Sequence, residues 1–436
     1  MKKREFLAMG GALPLMVAGC SGSSAGTAQM RLVNASIGYP NLGLVVETTQ
    51  ATSSDVPFGG ASAFAGVPAG SVTTTLTTTT GGVVTDLLST TRTLSGGSRY
   101  SMVGYGYTTA PKSVLIVENQ TAPDAGNASF NVLNTSVDVG AIDVYLSPTA
   151  DLTTAPIATS IGGVSQSVFS QITPGTYFVT VVGAGSVSRG APDIRLQVGG
   201  VTLSDQQIAT LIISPGASGV LANGILLTHG ETGTATPLLN KNARVLAVAA
   251  TGNFGTVAVA GVMAPAVSPA TSDKYIQLAA GAAPAVTVDG VTLDNAGPMV
   301  AGFDYTILVY RDPNGTPKNK LIVDDNRLPL TVTGCKVRLL NAVYDADLAN
   351  PLPLTLQVNG ATVASNVPAA TASSFLEVTA LASSVISLKT NFTQVLDDQL
   401  ITLSPGSIYT QLVVGEGSPL NIDPLLLKKN FVSMRI

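Results

Sequence analysis

An apolar strand ending in a turn recurs along the chain: MRLVNAS (30–36), FNVLNTS (130–136), the weaker RVLAVAA (244–250) and VRLLNAV (337–343). With Asn34, Asn134, Val248 and Asn341 taken as equivalent, the spacings are 100, 114 and 93 residues. These are domain lengths, not the short periods of a solenoid. Runs of period two follow the first copy. Val72, Thr74 and Leu76 alternate with Thr73, Thr75 and Thr77, the mark of a strand with one buried face. Turn signals at Pro68-Ala69-Gly70 and Leu94-Ser95-Gly96-Gly97 punctuate these runs. About seven short strands per copy predict a β-sandwich.

The copies divide the chain into modules at 30–127, 128–242, 243–333 and 334–436, the last with a C-terminal tail. In module two, AIDVYL (141–146) stands where LGLVVE (42–47) stands in module one, and ISPGAS (213–218) is set against the LSGGS turn (94–98). DIRLQVGGVTL (193–203) is predicted to be a hairpin closed by Gly199-Gly200. VTVDGVTL (286–293) and LTLQVNGATVA (354–364) predict hairpins through Asp289-Gly290 and Asn359-Gly360. KNKLIVDDNRLP (318–329) mirrors KSVLIVENQTAP (112–123), while DDQLITLSPGSIYTQLVVGEG (397–417) is aligned with DQQIATLIISPGAS (205–218). Modules one and three thus share an ending, and two and four share a late strand, as a duplicated pair would. Four modules in single file would reach about 130 Å.

Composition narrows the class. Hydrophobic residues make up 45% and charged residues 11%, so the chain can bury real cores and wholesale disorder is excluded. Abundant Thr and Val favour strands. The one long uncharged run, 245–272, contains Thr251, Gly252, Asn253, Gly255 and two prolines, and reads as strands rather than a membrane span. A spanning barrel is disfavoured because only 5% of residues are aromatic and Trp is absent, leaving no aromatic girdles.

The N-terminus reads as an export signal. Lys2, Lys3 and Arg4 make a basic start, residues 6–17 an apolar stretch, and Ala18-Gly19 a small-residue approach to Cys20. VAGC (17–20) resembles the lipobox of bacterial lipoproteins. The resemblance implies cleavage between Gly19 and Cys20, loss of residues 1–19 and thioether lipidation of Cys20. Lys3-Arg4 with Phe6-Leu7 also looks like a twin-arginine motif with Lys in its first place, so the export route stays open. Residues 20–29 are then the lipidated cysteine and a small polar tether, and nine residues extend at most about 30 Å. Cys335 is left without a disulfide partner, and loss of Lys2, Lys3, Arg4 and Glu5 takes the formal charge from −4 to −6. An acidic surface offers no attraction to nucleic acid, so membrane attachment is expected through the acyl chains alone.

The strand starting with MRLVNAS, the IDVY second strand, the Phe-to-PAG turn and the LSPG-x-Y strand together resemble the bacterial repeat family catalogued as domain of unknown function 4397. The resemblance covers most of residues 30–416. It implies exported or surface-attached immunoglobulin-like β-domains and carries no catalytic residues to transfer. The fold expected is all-β: tandem immunoglobulin-like β-sandwich modules behind a lipoprotein signal peptide.

Chemistry is sparse. The one histidine, His229, lies in THGETG, is read as a solvent-facing loop residue, and has no GxSxG nucleophile to serve. One His and one free Cys exclude catalytic zinc. No metal or other cofactor is expected. Among the acidic clusters Asp324, Asp325 and Asn326 are the first to consider for calcium, ahead of Asp345 with Asp347 and Asp397 with Asp398. Tyr105 and Tyr107 fall on one strand face, with Tyr100 in the same segment, and are the candidate contacts for a sugar or protein partner. The expected function is non-enzymatic: an envelope lipoprotein acting as a structural, adhesive or protein-binding array. The alternative is a set of carbohydrate- or small-ligand-binding modules, with envelope proteins or glycans as partners. Ser21 after Cys20 favours the outer membrane, periplasmic or surface-exposed.

Overall fold

A computed structural model describes residues 26–52, 55–186, 193–250, 256–263, 270–271, 275–294, 296–312, 314–343, 353–390, 394–416 and 421–428. Gly19, Cys20, Asp345 and Asp347 lie outside the described residues. The protein is all-β, with no α-helix among the described residues. Its strands form eight small sheets, two per module.

In each module the opening strand lies parallel to a late strand: Thr27–Ala35 with Arg99–Tyr107, Ala128–Asn134 with Ile208–Pro215, Asn242–Ala249 with Asp304–Arg311, and Gly334–Val343 with Ile408–Glu416. A parallel pair needs a long crossover, and the intervening strands of the second sheet supply it. In module one that second sheet runs Thr49–Gln50, Asn41–Val46, Gly70–Thr80, Val83–Leu94. Four cores fill the space between paired sheets, around Met30 and Leu32, Phe130 and Val132, Val245 and Ile307, and Val337 and Leu339.

The opening strands are buried on both faces. Val33, Ala35, Val103 and Tyr105 of module one meet Leu133, Ile212, Ile225 and Leu227 of module two in a fifth core. Val248, Ala250 and Leu308 of module three meet Leu340, Ala342 and Leu412 of module four in a sixth. Two-sided burial is why these strands read as near-continuous apolar runs while Gly70–Thr80 alternates. The modules therefore do not run in single file; one packs on two and three on four, sheet against sheet.

Backbone register corrects three sequence alignments. The amides of Gln29, Ser129, Arg244 and Lys336 donate to the carbonyls of Ser98, Gln207, Phe303 and Ser407 at equivalent places. The hydroxyls of Tyr100, Tyr305 and Tyr409 each accept an amide five residues upstream, from Ser95, Val300 and Ser404, at 2.9 Å. Asn34 therefore corresponds to Ala249 and not Val248, and Arg31 to Asn131, Leu246 and Arg338. The turn of module two matching LSGGS is residues 203–207, where Gln207 N bonds Ser204 O, and ISPGAS follows the next strand instead. The pairing of 205–218 with 397–417 is displaced for the same reason. Module two has Ala209 where the others have the tyrosine, so the shared SPG letters drew the alignment to the wrong turn.

DIRLQVGGVTL is not a hairpin. Ile194–Leu203 is one strand along Gly175–Gly183, and Gly199 and Gly200 together oppose Phe178 as a bulge. A Cβ on Gly199 would lie 2.6 Å from the Phe178 ring. The other two hairpins form as expected, with Asp289-Gly290 at φ 51° and 81° and Asn359-Gly360 at 51° and 79°. Asn34, Asn134 and Asn341 cap strand ends: each Oδ1 accepts the amide two residues on, and the Nδ2 groups donate to the carbonyls of Val56, Gly140 and Val367.

Candidate functional site

Charged side chains in the opening strands face the module interfaces. Arg31 is fully buried, its Nη2 2.7 Å from Glu118 Oε1, and it donates to the carbonyls of Gly233 and Thr228 in module two at 2.6 and 2.8 Å. Its guanidinium lies 4.6 Å over the Phe64 ring. In the second pair Leu246 replaces this arginine, and Arg338 of module four crosses to Asp324 of module three. Arg338 sits 4.5 Å over Phe375. Glu118 and Asp324 are equivalent by strand register, since Tyr100 faces Val117 and Tyr305 faces Val323. Both interfaces thus hold one carboxylate from the first member and one arginine, taken from the first member in one pair and the second member in the other.

This arrangement occupies the calcium candidates. Asp324 accepts from Arg338, from Tyr275 OH at 2.5 Å and from Thr306 Oγ1 at 2.8 and 3.0 Å. Asn326 Nδ2 donates to Asp304 Oδ2 at 2.7 Å, and Asp304 is held by both arms of Arg244. Asp325 takes Arg327 at 2.7 Å and Lys336 at 2.8 Å. A calcium ion would have to displace these donors. Among the described residues no three His, Cys, Asp or Glu side chains group to hold a metal. His229 is not solvent-facing: its Nε2 lies 2.8 Å from Thr210 Oγ1, its ring meets Phe169 edge-on, and burial lowers its pKa. Cys335 packs in the core of module four, and burial pushes its thiol up to about 11.

Tyr105 and Tyr107 do share a wall, while Tyr100 points to the opposite side, into the core of module one. Strand alternation separates residue 100 from 105 and 107. The wall belongs to a cavity of about 410 Å³ where module one, module two, the segment joining modules three and four, and module four come together. Tyr107 OH donates to Asp138 Oδ2 at 2.7 Å, and Leu328 N donates to Asp138 Oδ1 at 2.7 Å. Arg327 lies 4.9 Å over the Tyr107 ring and Lys336 5.1 Å over Phe375. Lys336 also donates to the carbonyls of Asp325 and Arg327 at 2.9 and 3.0 Å. Glu377 accepts the amides of Leu330 and Thr331 at 2.8 and 2.9 Å.

Burial, aided by the adjacent Asp138 carboxylate, raises the pKa of Tyr107. Burial also raises that of Asp138 above the usual carboxylate value, against the two hydrogen bonds that favour its ionised form. Burial would raise Asp325 too, but Arg327 and Lys336 outweigh it and hold the carboxyl low. Asp138, Arg327 and Lys336 were missed in sequence because each comes from a different segment. A raised folded pKa means that the carboxyl stabilises the fold fully below about pH 3.9 and loses that contribution as pH rises through the raised value. Asp138→Asn should therefore gain stability relative to the parent as pH rises from 4 to 8. Paired unfolding midpoints across that range check this, and a pH-independent difference would contradict it.

Residues 28–145 match the model of a domain of unknown function, DUF4397. Over that stretch the chain is similar to the DUF4397 family. The stretch takes in all of module one and continues through the opening strand of module two into the next, Ile142–Ser147. No curated protein matches the chain. Among solved structures the Bacillus anthracis TIE protein aligns at 11% identity, covering 90% of this chain and 69% of that one with a TM-score of 0.14.

Proposed function

We propose that the chain is a non-enzymatic lipoprotein of the bacterial cell envelope, a structural, adhesive or protein-binding array anchored through acyl chains on Cys20. The observation that carries the reading is where the reactive side chains go. The buried Arg31 and Arg338 reach across to the neighbouring module, Arg31 to the Gly233 and Thr228 carbonyls and Arg338 to Asp324, an arrangement suited to a stiff carrier. The lipobox-like VAGC (17–20) supports the anchor, and Ser21 supports an outer-membrane address. Acyl labelling that disappears in Cys20→Ala, and cleavage of the chain by protease added to intact cells, are the expected results. Labelling that persists in the variant would overturn the anchor. Turnover of an envelope substrate by residues 21–436 in the presence of chelator would overturn the non-enzymatic reading.

A second reading, a carbohydrate- or small-ligand-binding module set, is favoured by the cavity that gathers Tyr105 and Tyr107 with Phe375. Specific retention of residues 21–436 on cell-wall glycans, lost in Tyr107→Ala at unchanged unfolding midpoint, would establish it over the first.

A further inference from the structure

We infer that the cavity between the two module pairs binds a compact ligand with an apolar body and one anionic end. The inference rests on the small-ligand reading above and adds the chemistry of the ligand. At about 410 Å³ the cavity falls within the range of sites that enclose small molecules. Four large apolar side chains of its lining are open to solvent: Val137 is 40% exposed, Val164 44%, Leu330 75% and Val332 82%. They come from module two and from the segment between modules three and four, so chain proximity does not explain the cluster. A concentration of exposed apolar surface around one opening marks a contact site.

The polar groups of the wall define the ligand's other end. Asp138, Asp325 and Glu377 already accept from protein donors, and Arg327 and Lys336 already donate to protein acceptors. Lys112 remains, and among the described residues it has no ion pair. Its counterpart in module three, Lys318, reaches Asp294 at 4.0 Å. Lys112 is solvent-exposed on the cavity wall, placed to meet a carboxylate, sulfonate or phosphate carried on an apolar body.

The test uses two fluorescent probes of similar apolar body, 8-anilinonaphthalene-1-sulfonate, an anion, and N-phenyl-1-naphthylamine, which is neutral. Titrated into residues 21–436, both are expected to bind saturably. Lys112→Ala should weaken the sulfonate about fivefold and change the neutral probe by less than about twofold. Thr109→Trp, at an exposed position on the cavity wall, should abolish both, with the unfolding midpoint of each variant unchanged. Absence of saturable binding, binding indifferent to Thr109→Trp, or equal weakening of both probes by Lys112→Ala would each overturn the inference. Glycan retention without saturable probe binding would overturn this assignment while the small-ligand reading stands. Failure of both assays would remove both.

Discussion

Arg338→Ala is expected to destabilise modules three and four by about 3–5 kcal/mol, the cost of leaving a buried charge without its partner. Arg338 and Asp324 are both essentially free of solvent contact, and they come from different modules. Removing the arginine takes away the ion-pair partner of Asp324, and the Tyr275 and Thr306 hydroxyls that donate to it carry no charge to replace it. The variant also loses the guanidinium stacked on Phe375. Chemical denaturation of residues 21–436, with and without the substitution, reads the difference. A change below about 1 kcal/mol, typical of a surface pair, would show that the charges are not desolvated as the structure has them.

The second large effect is a transplant. Arg31→Leu should cost a similar ~3–5 kcal/mol in the first pair, because Glu118 then lies buried without a cation. Leu is the residue module three has at this position, and its pair takes the arginine from module four instead. Adding Asn131→Arg to Arg31→Leu reproduces that arrangement, since Asn131 is the counterpart of Arg338 in strand register. Thr210 beside Asn131 matches Thr410, which accepts from Arg338 Nε. The double variant should recover a substantial part of the lost stability, limited by the space His229 takes beside Thr210. Additive loss would mean that the two interfaces are not built alike.

Much of the fold was legible for local reasons. Asp289-Gly290 and Asn359-Gly360 announced hairpins because two consecutive positive φ angles leave few alternatives. Gly199-Gly200 looked the same but serves a bulge, because Phe178 of the neighbouring strand fills the space over Gly199. The matched endings 112–123 and 318–329 were correctly aligned and contain Glu118 and Asp324, the carboxylates of the two interfaces. Arg31 and Arg338 stood in otherwise apolar strands, a signal that each needed a buried partner. Arg31 pairs with Glu118 of its own module, but the partner of Arg338, Asp324, depended on modules packing sheet against sheet, and that is set by surfaces far apart in sequence. Whether the modules run in single file or fold back was open in the sequence for this reason. The near-continuous apolar opening strands carried a sign of two-sided burial without naming the second face. Tyr105 and Tyr107 were found as a pair, but the cavity beside them is assembled from separated segments and includes groups, Asp138 and Lys336 among them, that no local pattern joins.

The central claim is that charged side chains in the opening strands lock the modules into pairs. A double-mutant cycle on Arg338→Ala and Asp324→Ala in residues 21–436 tests it most directly, because the two residues belong to different modules. The account predicts a coupling of about 2–3 kcal/mol, as for contacting members of one buried network. Additivity within about 0.5 kcal/mol, as for residues well separated in space, would contradict it.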